Sequence, residues 1–307
     1  MDMRLTRRNV LNGLATSGLL LTVPALAVRA GAQELSVGDR KLMTVSDGKL
    51  QLPLAFSFPD APQDELASLL AANDLPADML QPDCNVTVLR SGDRTAIFDV
   101  GAGASFMPTA GELLANLEAE GIDPADVTDV VFTHAHPDHL WGLTDDFDEL
   151  VFPEANYHIG QAEWDYWSAE DTLTKVPENM QSLVVGAQNR FEFIADRVNF
   201  IAPGAEVLPG IEAMDTSGHT PGHLSFIVHG PDPVMILGDA LSNSVISVEQ
   251  PDWLAGMDQD PQKAIETRKI LLDRLATDRI RLIGYHFPNP GAGRIEKSQA
   301  GFVYVAA

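Results

Sequence analysis

The stretch Val130-Val131-Phe132-Thr133-His134-Ala135-His136-Pro137-Asp138-His139 decides how this chain is read. An apolar run ends, and three histidines and a carboxylate follow within six residues. Imidazoles and carboxylates are the donors that borderline divalent cations such as zinc take. A buried strand running into a short turn holds such donors in place and leaves one side open. The plain alternative is a solvated loop. The rest of the chain argues against it by placing further donors at the same kind of position.

His219 lies in Ser217-Gly218-His219-Thr220-Pro221-Gly222-His223, after the strand-like Ile211–Asp215. Asp239 follows Val234-Met235-Ile236-Leu237-Gly238, and His286 follows the short, largely apolar run Ile280 to Tyr285. Each is predicted to sit at or just past a strand end. His158 and His229 fall within strand-like runs and read as structural. His223 shares the turn of His219 and reads as a neighbour of the site.

On these residues the chain resembles the metallo-β-lactamase fold hydrolases, from about residue 41 to the C-terminus. The resemblance implies an α+β fold, an αββα sandwich with two β-sheets face to face and helices outside. It implies one divalent ion at His134, His136 and His219, a second at Asp138, His139 and His286, and Asp239 bridging both. Zn2+ is the expected metal, with Mn2+, Co2+ and Fe2+ as alternatives. Such a pair can hold a hydroxide near neutral pH that attacks a carbonyl carbon or a phosphorus. Asp239 and Asp138 are then the expected catalytic residues, Asp138 orienting the nucleophile and relaying its proton.

Phe98-Asp99-Val100-Gly101-Ala102-Gly103-Ala104, the His219 turn and His286-Phe287-Pro288 look like the methyl parathion hydrolase-like and lactonase-like branch. That likeness implies that Asp99 orients a ligand imidazole. Read alone, Asp99 serves equally well as a turn cap before Gly101. It also implies an aromatic wall for a small neutral hydrophobic substrate, with Phe106, Trp164 and Trp167 as candidates, against ordinary core packing as the alternative. Ser242 stands where acyl-homoserine lactonases carry a substrate-contacting tyrosine. Cys84, the only cysteine, matches no ligand position. His136 stands where flavodiiron proteins need a glutamate.

The function expected is an exported dinuclear-metal hydrolase of lactones or aryl esters, with promiscuous phosphotriesterase activity. The alternatives are a dedicated phosphotriester hydrolase, a metal-binding protein without turnover, and an iron redox enzyme.

Residues 1–32 read as a signal peptide. Arg4, Arg7 and Arg8 precede a mildly apolar stretch over residues 10–28, and small-residue patterns follow at Ala25-Leu26-Ala27 and Ala30-Gly31-Ala32. Thr6-Arg7-Arg8-Asn9-Val10-Leu11 resembles a twin-arginine export signal. Export into the periplasm or medium is read over a membrane anchor, because polar residues interrupt the run and cleavage patterns follow it. Residues 33–307 then form one hydrolase domain, without stable membrane association after cleavage. Cleavage removes four arginines and one aspartate and takes the formal charge from −24 to −27. So acidic a surface repels nucleic acid and anionic membranes. A homodimer is left open.

Elsewhere, residues 41–58 read as two strands around the turn Ser46-Asp47-Gly48, and residues 85–90 and 95–100 as a hairpin. Residues 109–120, 161–168, 181–197 and 261–277 read as helices, the last with Ala264, Ile265, Ile270, Leu271, Leu272 and Leu275 on its apolar face.

Overall fold

The computed structural model describes residues 34–307. The signal-peptide expectation lies outside the described residues. Strands β1 (Leu35–Val37) and β2 (Arg40–Lys49) open the first sheet, while β3 (Leu52–Pro53) and β4 (Met79–Leu80) pair separately. The first sheet continues through β5 (Asp83–Ser91), β6 (Arg94–Phe98), β7 (Asp129–Val131), β8 (Asn156–Gly160) and β9 (Val198–Ile201), in the order β1-β2-β5-β6-β7-β8-β9. The second runs in chain order through β10 (Glu206–Leu208), β11 (Ile211–Asp215), β12 (Leu224–Val228), β13 (Val234–Ile236), β14 (Arg281–Ile283), β15 (Ala292–Ser298) and β16 (Gly301–Ala306).

Strand alternation builds three apolar layers. Leu89, Phe98 and Val131 of the first sheet meet Phe226, Val228 and Ile236 of the second. On the outer face of the first sheet, Val88, Ile97 and Val130 pack with Leu117, Val184 and Phe191 from helices. On the outer face of the second, Ile227, Met235 and Leu282 pack with Leu271, Leu272 and Leu275 of the helix Pro261–Asp278. This is the expected αββα sandwich. Its strands are buried on both faces, which explains their continuous apolar runs.

Strands β6 to β9 are parallel, as are β13 and β14. In such sheets, functional groups gather beyond the carboxyl ends of the strands. Asp99 follows β6, His134 follows β7, Asp239 follows β13 and His286 follows β14. With His219 from the turn after β11, five separated stretches of sequence come to one edge of the sandwich.

Local structure departs from expectation at several places. Ser46-Asp47-Gly48 is no turn: β2 runs through it with a shift of register, and the second strand shrinks to Leu52–Pro53. Buried Asp47 spends its side chain on the backbone, accepting from Ala102 N at 2.7 Å and Leu113 N at 2.8 Å. Residues 109–112 lie against β2, so the helix there starts only at Leu113 and ends at Ala119. The helix from Gln181 stops at Glu192. The helix Pro261–Asp278 runs nearly as expected, capped by Asp260, but Ile270 faces solvent at 70 % exposure. The expected hairpin forms from β5 and β6, with Arg90 opposite Thr95 and Ser91 opposite Arg94, and its second strand ends at Phe98.

Candidate metal centre

Pro137 starts the one-turn helix Pro137–Leu140, whose fixed φ suits a first helical position. The turn aims Asp138 and His139 back toward His134 and His136. All four are buried. His219 arrives from the turn between β11 and β12, and its Nε2 lies 2.9 Å from His136 Nδ1. Asp239 stands in the middle. Its Oδ1 is 3.2 Å from His139 Nε2, and its Oδ2 is 3.3 Å from His219 Nε2 and 3.2 Å from His286 Nε2. Asp138 Oδ2 is 3.2 Å from His286 Nε2 and 3.4 Å from His139 Nε2. The seven expected donors therefore converge. The ligand atoms of His134, His136 and His219 lie within 4.8 Å of one another, as do those of His134, His139 and Asp239.

The donor set fits divalent cations. His134 Nε2, His139 Nε2, Asp138 Oδ2 and Asp239 Oδ1 are buried without a well-aligned hydrogen bond among the described residues. Buried polar atoms are seldom left so. Burial pushes His136 down to about 3 and His134 well below the usual imidazole range, so both offer lone pairs. Burial also opposes protons on His139 and His286, yet the surrounding Asp138 and Asp239 hold both well above that range. Those are the positions where a cation would replace a proton.

Outer partners fix the rings. His139 Nδ1 donates to Asp99 Oδ2 at 2.8 Å, and Asp99 also accepts from Thr133 N and Thr133 Oγ1, each at 2.8 Å. The Thr133 hydroxyl in turn accepts from His134 Nδ1 at 3.0 Å. His286 Nδ1 donates to the Asp83 carbonyl at 2.9 Å. His219 Nδ1 meets Asp258 Oδ1 at 3.1 Å, and Arg268 holds the other Asp258 oxygen at 2.7 Å. These bonds turn the Nε2 atoms of His139, His219 and His286 inward. His223 accepts from Asp239 N at 2.9 Å and so fixes the backbone of the central carboxylate. Gly238 has φ +54, and a Cβ there would lie 2.7 Å from His223 Nε2, which reserves the position for glycine. His158 pairs with Asp129 and His229 with Glu212, both away from the centre.

Glu163 is the partner that sequence reasoning misses. It is fully buried, and its Oε1 accepts from Ala135 N at 2.9 Å and Trp167 Nε1 at 2.7 Å. Its Oε2 accepts from Thr220 Oγ1 at 2.7 Å and Gly222 N at 2.9 Å. One carboxylate thus ties the His134-Ala135-His136 turn to the His219 turn. Burial raises its pKa, and the four donors work against that rise. Its i,i+4 spacing to Trp167 was the available signal. Asp258 carried none, since it sits beside the helix-capping Asp260. Glu163→Gln should turn an amide NH2 toward two donors. Each orphaned donor costs about 1–3 kcal/mol, partly offset by removing a buried charge. Metal affinity should fall about 10- to 100-fold, as for other outer partners. Calorimetric metal titration checks this, and unchanged affinity would remove Glu163 from the role.

The centre opens into a cavity of about 250 Å³. Leu50, Phe58, Phe106, Met180, Leu183 and Met257 supply apolar wall, with Ser57, Asn179, Ser242 and Asn243 as polar points. No lysine or arginine lines it among the described residues. Phe106 and Ser242 line the cavity. Trp164 and Trp167 do not. Trp164 stacks on Phe191 at 4.2 Å, and buried Trp167 packs edge-on under His136 at 5.7 Å while bonding Glu163. Core packing takes both rings.

A family model described as the metallo-beta-lactamase superfamily matches residues 80–280. The Xenopus laevis protein named metallo-beta-lactamase domain-containing protein 1 is 26% identical over 205 residues, 66% of this chain and 71% of that protein. Among solved structures, AidC, a dizinc quorum-quenching lactonase in complex with a product, superposes with a TM-score of 0.84 at 27% identity, covering 90% of this chain and 97% of that one. The hydrolase AbOPH of the β-lactamase superfamily superposes at 0.83 with 24% identity over 91% of this chain and 98% of its own, a likeness of fold. The family model spans well over half of the chain and contains six of the seven convergent donors, and the chain belongs to the metallo-beta-lactamase superfamily.

Proposed function

We propose that this metal-dependent hydrolase is a dinuclear lactonase or aryl esterase, acting on a neutral, hydrophobic substrate. The observation that carries this reading is the seven-donor centre opening into an apolar cavity without a cationic side chain. The likeness to the dizinc lactonase AidC supports it. His134, His136 and His219 would hold one ion, Asp138, His139 and His286 the other, with Asp239 shared. Bound there, two divalent cations, Zn2+ by donor preference, supply an activated water and an electrophilic partner for the carbonyl oxygen.

The chain's own residues do the rest. The apolar wall excludes bulk water and seats the hydrophobic part of the substrate. Phe106 packs against it, and Ser242 and Asn243 offer hydrogen bonds to its polar end. Asp138, facing the cavity, takes the proton of the attacking water and returns it to the departing alkoxide. A substrate carboxylate or phosphate dianion finds no counter-charge on the wall.

Purified protein lacking residues 1–32 and loaded with zinc should be assayed against lactones, aryl esters, phosphotriesters and β-lactams. Lactones or aryl esters should give the highest kcat/KM. Turnover confined to phosphotriesters would reassign the enzyme to that class, and turnover of none would leave a metal-binding protein.

Export is part of the same reading and rests on the paired Arg7 and Arg8. Replacing both with lysine should leave the protein in the cytoplasm with its signal uncleaved, as fractionation and mass spectrometry would show. An unchanged periplasmic yield would end the twin-arginine assignment.

A further inference from the structure

Phe106 and Met107 reach the cavity from an arch, residues 103–109, that has neither helix nor strand. At its crown Phe106 packs edge-on to Trp141, with ring centres 5.5 Å apart. Both feet of the arch stand on one side chain, that of Asp47 on β2. Ala102 N donates to Asp47 Oδ2 at 2.7 Å, and Leu113 N donates to Asp47 Oδ1 at 2.8 Å. The backbone of the same strand adds two bonds. Lys49 N donates to the Thr109 carbonyl at 2.7 Å, and Glu112 N donates to the Asp47 carbonyl at 3.3 Å. None of these bonds involves a donor of the metal centre, and Asp47 does not line the cavity.

Asp47 is fully buried, and among the described residues no cationic side chain pairs with it, since Lys49 turns to Asp83 at 3.1 Å. Burial pushes its pKa up to about 6 against the pull of the Ala102 and Leu113 amides, so it is ionised near neutral pH. A buried charge without a counter-ion is costly. Here it supplies two charge-assisted bonds from one rigid group, each stronger than a neutral bond. A wall carried on irregular backbone keeps its place only through such supports.

We propose that Asp47 is a positioning residue for the substrate. By tying Ala102 to Leu113 it sets how far Phe106 and Met107 stand into the cavity, and so which hydrophobic acyl groups are accepted. The proposal rests on the reading above that the cavity seats the hydrophobic part of an ester. A support that served the fold alone would affect all substrates equally. A support for the wall acts first on acyl groups long enough to reach it.

The test compares para-nitrophenyl acetate, para-nitrophenyl octanoate and the non-hydrolysable octyl para-nitrophenyl ether on the zinc-loaded enzyme. Wild type, Asp47→Asn, Phe106→Ala and the double variant are measured. Asparagine offers one acceptor and turns its NH2 toward the second donor, which frees one foot of the arch. In Asp47→Asn, KM for the octanoate and Kd for the ether should each rise about tenfold. The kcat values, KM for the acetate and the metal content should change little. Added to Phe106→Ala, Asp47→Asn should change the ether's Kd by no more than about twofold, because both act through one wall. Equal losses on acetate and octanoate, additive effects, or an ether bound equally by wild type and Asp47→Asn would each overturn the proposal. So would an ether that does not bind wild type. Weaker ether binding by Asp47→Asn, with no ester hydrolysed by any form, would leave the proposal standing and end the esterase reading. Should Asp47→Asn fail to fold, amide hydrogen exchange in wild type and ether binding by Phe106→Ala decide. The N–H groups of Ala102 and Leu113 should exchange as slowly as those of β5, and Phe106→Ala should bind the ether more weakly. Fast exchange at either amide, or unchanged ether affinity, would overturn the proposal.

Discussion

Asp239→Asn should fold normally and lose turnover by roughly 10³-fold or more, about 4 kcal/mol of transition-state stabilisation. The carboxylate stands within 3.3 Å of the inward nitrogens of His139, His219 and His286, so it is the one anion shared by both halves of the centre. Asparagine keeps the shape, and the backbone bond from Asp239 N to His223 survives. In the proposed dinuclear centre, what disappears is a negative charge between two dications. At about 4 Å and an effective dielectric of 20, each unit-charge interaction is worth about 4 kcal/mol. The second ion should therefore bind weakly, and elemental analysis should approach one equivalent instead of two. Ser242→Ala, on the cavity wall, should change which substrates are accepted and leave the metal content intact. Two retained ions with near-normal turnover in Asp239→Asn would refute the dinuclear mechanism.

Chelation should abolish turnover and lower the melting temperature markedly. Without cations, His134 and His136 keep unsatisfied lone pairs in a buried site, and the protons that Asp138 and Asp239 hold on His139 and His286 are opposed by burial. An ion present at a thousand times its Kd stabilises the fold by about 4 kcal/mol. For a chain somewhat above 250 residues, each kcal/mol moves the midpoint by about 2–4 °C, so losing both ions should cost roughly 15–30 °C. Differential scanning calorimetry with and without chelator measures this, and restoring Zn2+ should return both stability and activity. An unchanged midpoint would mean that the centre is preformed and holds no ion tightly.

Most of the donors were legible because His134, Asp239 and His286 follow largely apolar runs that read as buried strands, and His219 follows a strand-like one. The sandwich was legible from the same runs through family likeness, since strands buried on both faces lose the alternation that would reveal their sides. Other features could not be read. Ser46-Asp47-Gly48 has the chemistry of a reverse turn, yet Gly48 uses its φ of +93 for a bulge that lets Asp47 reach the backbone of two other segments. Both outcomes need the same local residues, and only distant partners separate them. Trp164 and Trp167 lie close to the first metal motif in sequence, but helix rotation sends one toward Phe191 and the other beneath His136. Glu163 looks like any exposed helical glutamate until the turn of His219 is folded over it.

The donors divide between the two sheets: His134, His136, Asp138 and His139 follow β7, while His219, Asp239 and His286 belong to the second. Neither half of the chain can make the centre alone. Ion capture is then a checkpoint on assembly: it succeeds only when the late-synthesised half has docked onto the early one. A chain arrested or clipped before β14 lacks His286 and leaves the shared position half built. An ion shared through Asp239 would thus report that both sheets are in place.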